Sequence, residues 1–261
     1  MSTDRYARIR GILDPEHLGS KRVGVIGAGS AGAPIVSFLA NDGVGVDGRI
    51  GRWYLWDADI VEESNCGTVC LNAYESPHDL GLPKVEVLAN HISNRAGKTV
   101  NIIGIQRRVE LEDVDEIRRI AEHLDLLILT ADDFVVTSKL AEVCWSICPI
   151  VTLHFGLECR EAEIGFSVPG QTLPLNRVFR GETFRRIDNA RALPSHTIQA
   201  VCFAVEICEQ ILSSATIQVE LLPGLFSEAS LFIMGFHKRG IFQTLPEEQI
   251  RSVIRVITNR A

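Results

Sequence analysis

Six residues, Gly27-Ala28-Gly29-Ser30-Ala31-Gly32, carry the plainest chemistry in the sequence. Glycines at this spacing bare the backbone amides of a turn. Where a strand leads in and a helix leads out, those amides and the helix's positive end can meet a phosphate. An apolar run at 22–27 supplies the strand and helical spacing over 31–41 supplies the helix. A tight turn built only for packing uses the same glycines, and the pattern does not say which nucleotide it would take. Further along, Trp56-Asp57-Ala58-Asp59 closes the next apolar run. A carboxylate at the end of a second strand lies where a ribose diol would sit over the glycine turn, for adenosine phosphates and dinucleotides alike. Asp57 also suits a helix or turn cap, and Asp59 by itself reads as a loop residue or backbone acceptor.

These groups need a frame. Short apolar runs at 22–27, 53–57, 100–105, 124–130 and 150–153 alternate with helical spacing over 31–41, 83–94, 111–123 and 135–147. That alternation predicts an α/β fold, a Rossmann-like, doubly wound, mostly parallel sheet with helices on both faces. Beyond Thr152 the pattern changes: 163–168 reads as an antiparallel strand, 170–194 as a crossing loop, and 198–212 as a strongly apolar helix. An ambiguous strand region (217–236) and a closing helix after Pro246 complete a C-terminal antiparallel extension. The expected organisation is an N-terminal arm (1–20) and a single nucleotide-binding domain (21–261).

With 261 residues, 46% of them hydrophobic, the chain can bury a full core, and a formal net charge of −7 gives no general attraction to nucleic acid or an anionic membrane. The polar start MSTDRYARIR and the lack of a run long enough to span a bilayer point to the cytoplasm. Seven cysteines, several among apolar neighbours, read as reduced thiols rather than a disulfide framework.

Further motifs follow in order: Val61-Glu62-Glu63-Ser64-Asn65, then Gly81-Leu82-Pro83-Lys84, then Thr130-Ala131-Asp132-Asp133, with Arg5-Tyr6-Ala7-Arg8 ahead of them all. Together with the glycine turn they resemble the ubiquitin-activating-enzyme-like adenylyltransferases, the ThiF/MoeB/HesA family, over about residues 5 to 170. The resemblance implies ATP and Mg²⁺ as cofactors and adenylylation of the C-terminal glycine of a ubiquitin-like or sulfur-carrier protein. It implies nucleotide contact by Gly27, Gly29, Ser30, Gly32, Asp57, Asp59, Asn65 and Lys84, a Mg²⁺ ligand in Asp132, and catalytic roles for Arg8, Lys84 and Asp132. Arg8 would reach the neighbouring subunit's site, so a homodimer is expected.

The sequence departs from the family pattern in places. Thr68 and Thr137 stand near positions of two family arginines, and Asp133 replaces an asparagine. Arg107, Arg108 or an arginine of the crossing loop (Arg177, Arg180, Arg185, Arg186, Arg191) would have to substitute, or turnover would weaken. Pro169-Gly170-Gln171-Thr172 is followed by no cysteine, so no zinc site is expected. No cysteine lies between 160 and 201, and Cys202 and Cys208 read as packing residues of an apolar helix. Two other readings stay open: a non-catalytic, partner-binding subunit of such an enzyme, and a nicotinamide-dependent oxidoreductase using the same glycine turn.

Overall fold

Branched aliphatic and aromatic side chains fill the apolar runs, and in the computed structural model these become strands of one sheet, the central ones buried on both faces and the edge run at 102–105 partly exposed. The structure describes residues 6, 12–66, 70, 73–74, 77–96, 100–155, 161–170, 194–213, 233–236, 241–243 and 253–258. The strands are β1 (Arg22–Ile26), β2 (Arg52–Trp56), β3 (Ile102–Ile105), β4 (Leu126–Leu129), β5 (Ile150–Phe155), β6 (Glu161–Ser167), β7 (Ile233–Phe236), β8 (Ile241–Gln243) and β9 (Val253–Thr258). They form one sheet in the order β3-β2-β1-β4-β5-β6-β9-β7-β8. The first five are parallel, with Val25 of β1 level with Leu55 of β2 and Ile128 of β4. β6 runs antiparallel to β5, and β9 antiparallel to β6. β7 then lies parallel to β9 and antiparallel to β8, so the extension is antiparallel except for one pair.

Period-two alternation divides the core. Leu126 and Ile128 face one apolar cluster; Leu127 and Leu129 face the other. Helices α2 (Gly32–Asn41), α3 (Lys84–Ala96) and α6 (Pro194–Ser213) cover the first face through residues such as Ile35, Leu39, Leu88 and Cys208. Helices α4 (Val114–Ala121) and α5 (Phe134–Cys144) cover the second through Ile117, Leu140 and Cys144. A short α1 (Pro15–Gly19), capped by Asp14, places Leu18 in the first cluster.

Three expectations change. The segment 111–123 opens as a 3₁₀ turn, Leu111–Asp113, before α4 begins, because Asp113 folds its carboxylate back to the Glu110 amide. The end of the chain carries strand β9 where a closing helix was expected. Val253-Ile254-Arg255-Val256-Ile257-Thr258 is almost all β-branched, and such side chains favour a pleated surface. Helix α6 begins earlier than its apolar spacing, with Pro194 in its first turn. The crossing loop lies outside the described residues except for its ends. No helix among the described residues is long and apolar enough to cross a membrane.

Candidate nucleotide-binding site

After β1 the chain turns to one face of the sheet through α2; after the adjacent β4 it turns to the other through α5. The two loops part at the strands' carboxyl ends and leave a crevice, the usual ligand position in such sheets. The helices flanking it differ at their N-termini. Asp133 caps α5 with its side chain, accepting from the amides of Val135 and Val136. Helix α2 starts after Ala31 without any side-chain cap; Ala33 donates to the Gly29 carbonyl and Pro34 has no N–H, so the amides open to a ligand are those of the turn leading into Gly32.

The three glycines of the turn answer to different needs. Gly27 has φ 98° and a methyl there would lie 2.7 Å from the Ala131 amide nitrogen. A methyl on Gly32 would collide with the Gly27 carbonyl oxygen. Gly29 has nothing within 4 Å of that direction, so its backbone is open to a ligand. Ser30, beside it, is partly exposed.

Side chains from elsewhere brace this turn. Asp57 Oδ2 accepts from the Ala28 amide at 2.6 Å, while Oδ1 accepts from the Asp59 amide at 2.8 Å. Asp57 is therefore a turn clamp, as its cap reading anticipated, and each carboxylate oxygen keeps a second lone pair for a diol. Tyr74, fully buried, donates its hydroxyl to the Ala28 carbonyl at 2.6 Å, and Thr130 donates to the carbonyls of Ile26 and Gly27. Sequence reasoning missed Tyr74 and Thr130 as braces. Their contacts join positions 46 and 103 residues apart, with no local pattern to mark them.

Lys84 is buried rather than an exposed lysine at a helix start; its ammonium donates to Asp59 Oδ2 at 2.9 Å. Burial lowers its pKa, but Asp57 and Asp59 more than offset that, so the group stays charged. Burial raises the Asp57 pKa, with Lys84 opposing. Backbone bonds from Val61 to Leu82 and from Lys84 to Asp59 bind the 57–62 and 79–84 segments together, which places Lys84. Asn65 closes its own turn, accepting from the Glu62 amide at 2.9 Å.

Asp132 is exposed at the end of β4 on the α5 side of the crevice. His154, at the end of β5, packs edge-on against Phe134. Burial pushes its pKa down to about 4, against the pull of Asp132. Among the described residues no three His, Cys, Asp or Glu side chains gather as a metal cage. One carboxylate ligand, as Asp132 would supply, suits Mg²⁺, which takes one or two protein oxygens and completes its shell with phosphates and water. Thr137 is buried in α5, so that position does not face the crevice solvent. Arg8, Thr68 and the arginines of the crossing loop lie outside the described residues. Cys208 is buried as expected, but Cys202 is exposed on α6, a correction to its reading as a packing residue.

The profile of the ThiF family matches residues 5–205. The chain belongs to the ThiF family. The SAMP-activating enzyme E1 of Haloferax volcanii is 32% identical over 146 residues, 54% of this chain and 49% of that protein. The chain thus matches about half the length of this curated relative. Solved structures of E. coli MccB share the fold: the complex with ATP has TM-score 0.66 at 19% identity, covering 84% of this chain and 66% of the other. The complex with MccA-N7isoASN has TM-score 0.67 at 18% identity, with the same coverage. PaaA has TM-score 0.63 at 17% identity, covering 82% of this chain and 76% of its own. The resemblance read from the motifs of this ThiF-family chain, and the doubly wound sheet, are borne out.

Proposed function

We propose that the chain is an ATP- and Mg²⁺-dependent adenylyltransferase acting on the C-terminal glycine carboxylate of a ubiquitin-like or sulfur-carrier protein, working as a homodimer. The observation that carries this reading is the uncapped start of α2 with its open turn at Gly29, clamped from below by Asp57 and Tyr74. Backbone amides without a side-chain cap at the start of a helix suit a phosphate. Family membership and the Haloferax volcanii relative, named as an activating enzyme, support the same chemistry.

In this reading the amides from Gly29 to Gly32 and Ser30 hold the phosphates, Gly27 shapes the turn beneath them, Asp57 and Asp59 lie by the ribose, and Asn65 contacts the nucleotide. Lys84 supplies fixed positive charge, and Asp132 would hold Mg²⁺, which neutralises the phosphate oxygens. A carboxylate oxygen of the carrier attacks the α-phosphorus; the bond to the bridging oxygen breaks and pyrophosphate leaves with the electron pair. Two anions approach one another in this step, so the protein's task is orientation and charge neutralisation. Arg8 would complete the partner's site. NAD would fit the glycine turn and Asp57, but leaves Lys84 and Asp132 without a task.

The test is carrier-dependent ATP–pyrophosphate exchange. Exchange by the unsubstituted protein, reduced about a hundredfold or more by Asp132→Ala, is the expected result. ATP binding with no exchange for any carrier would instead favour a non-catalytic, partner-binding subunit, which the threonines at 68 and 137 make the main rival.

A further inference from the structure

A triphosphate brings several negative charges to a crevice that already holds Asp57, Asp59, Asp132 and Asp133. Lys84 faces it with an ammonium already bonded to Asp59. Two arginines leave the carboxyl end of β3, and the structure separates them. Arg107 is committed to α4: its Nη2 donates to Glu116 Oε2 at 3.0 Å and lies 3.4 Å from Asp113 Oδ1. Arg108 has only long charge contacts among the described residues, Nε to Glu110 Oε1 at 3.6 Å and Nη2 to Asp133 Oδ2 at 3.7 Å. Its side chain is 45% exposed.

Asp133 fixes where that guanidinium is. It stands in the loop between β4 and α5, on the wall of the crevice opposite the glycine turn. Its Oδ1 caps α5 and its Oδ2 is the oxygen turned to Arg108. We infer that Arg108 is the second phosphate-binding cation of this crevice, held loosely by Asp133 until the outer phosphates of a nucleoside triphosphate take its guanidinium from the side facing the glycine turn. A planar fork of donors matches phosphate oxygens, and an ion pair this long and solvated yields readily to a stronger anion. The inference rests on the ATP site proposed above and adds a residue to it.

Calorimetric titration with AMP, ADP and Mg-ATP tests it, on the unsubstituted protein, Arg108→Gln and Asp133→Asn. Asparagine caps a helix as well as aspartate, so Asp133→Asn keeps the start of α5 while removing the charge that competes with phosphate. Arg108→Gln is expected to weaken ATP by about tenfold or more and leave AMP within roughly twofold. Asp133→Asn is expected to tighten ATP by about two- to fivefold. Equal losses for AMP and ATP would move Arg108 to the nucleoside and overturn the inference, as would unchanged ATP affinity in both variants. An unsubstituted protein that binds none of the three nucleotides overturns the proposed function itself, which separates the two failures.

Discussion

A methyl group on Gly27 would sit 2.7 Å from the Ala131 amide nitrogen, at a φ of 98°, whereas one on Gly29 meets nothing within 4 Å. The two substitutions should therefore separate folding from binding. Gly27→Ala is expected to lower stability by about 1–3 kcal/mol or more, through backbone strain together with the clash against Ala131, measured by urea unfolding. Gly29→Ala should stay within about 0.5 kcal/mol of the unsubstituted protein in the same experiment. Its cost should appear in ATP affinity, about tenfold, because the methyl occupies the approach a phosphate needs. A Gly29→Ala protein that binds ATP normally would remove the turn from the site. At this scale the glycine spacing, Asp57 and Lys84 were legible in the sequence, because turn, strand end and helix start are local features. What Lys84 does was not legible. A lysine after proline reads as solvated, and only the pairing of 57–62 with 79–84 sets it against Asp59 and Asp57 and keeps it charged while buried. Tyr74 carried no signal at all, since a buried tyrosine announces only its size.

Helices α2 and α6 lie side by side on one face of the sheet, and at their contact Asp42 and Glu209 share a hydrogen bond between carboxyl groups. Burial, then the bond to Asp42 and the charges of Asp42 and Glu206, push Glu209 up to about 8; burial also raises Asp42. A carboxyl raised on folding contributes stability that is complete below its ordinary pKa and lost as pH climbs through the folded value. The α2–α6 contact should therefore weaken between about pH 4.5 and pH 8 as the shared proton leaves. Glu209→Gln keeps a donor for Asp42 and should flatten that slope. After allowance for partial exposure it should gain about 1 kcal/mol at pH 8.5, a Tm rise of about 2–4 °C, and nothing at pH 5. Equal Tm differences at the two pH values would show that the carboxyl pair does not titrate in this range. Element order was legible from periodicity through β5, where each strand is a short apolar run between amphipathic helices, and the change of pattern marked β6 as antiparallel. It failed at β9, because a β-branched stretch near the end of a chain finds its strand partner, β6, about ninety residues back.

On the scale of the whole molecule, the parallel half of the sheet and its switch at β1 and β4 place every described site residue at one end of the strands. Arg8, which precedes that frame, is proposed to act in the neighbouring subunit of a two-fold dimer, where each site takes its arginine from the other chain. This has a consequence that a monomer cannot imitate. Arg8→Ala and Asp132→Ala should each abolish carrier-dependent pyrophosphate exchange when assayed alone. Mixed in equal amounts and allowed to exchange subunits, half the dimers become mixed, and in each of those one site unites an intact Asp132 with an intact Arg8. Activity should return to about a quarter of the unsubstituted level. Recovery requires that the arginine cross the interface, since two defective monomers, or a dimer whose sites are complete within each chain, stay inactive in any mixture. A mixture that remains dead while native mass spectrometry shows the mixed dimers would confine Arg8 to its own chain.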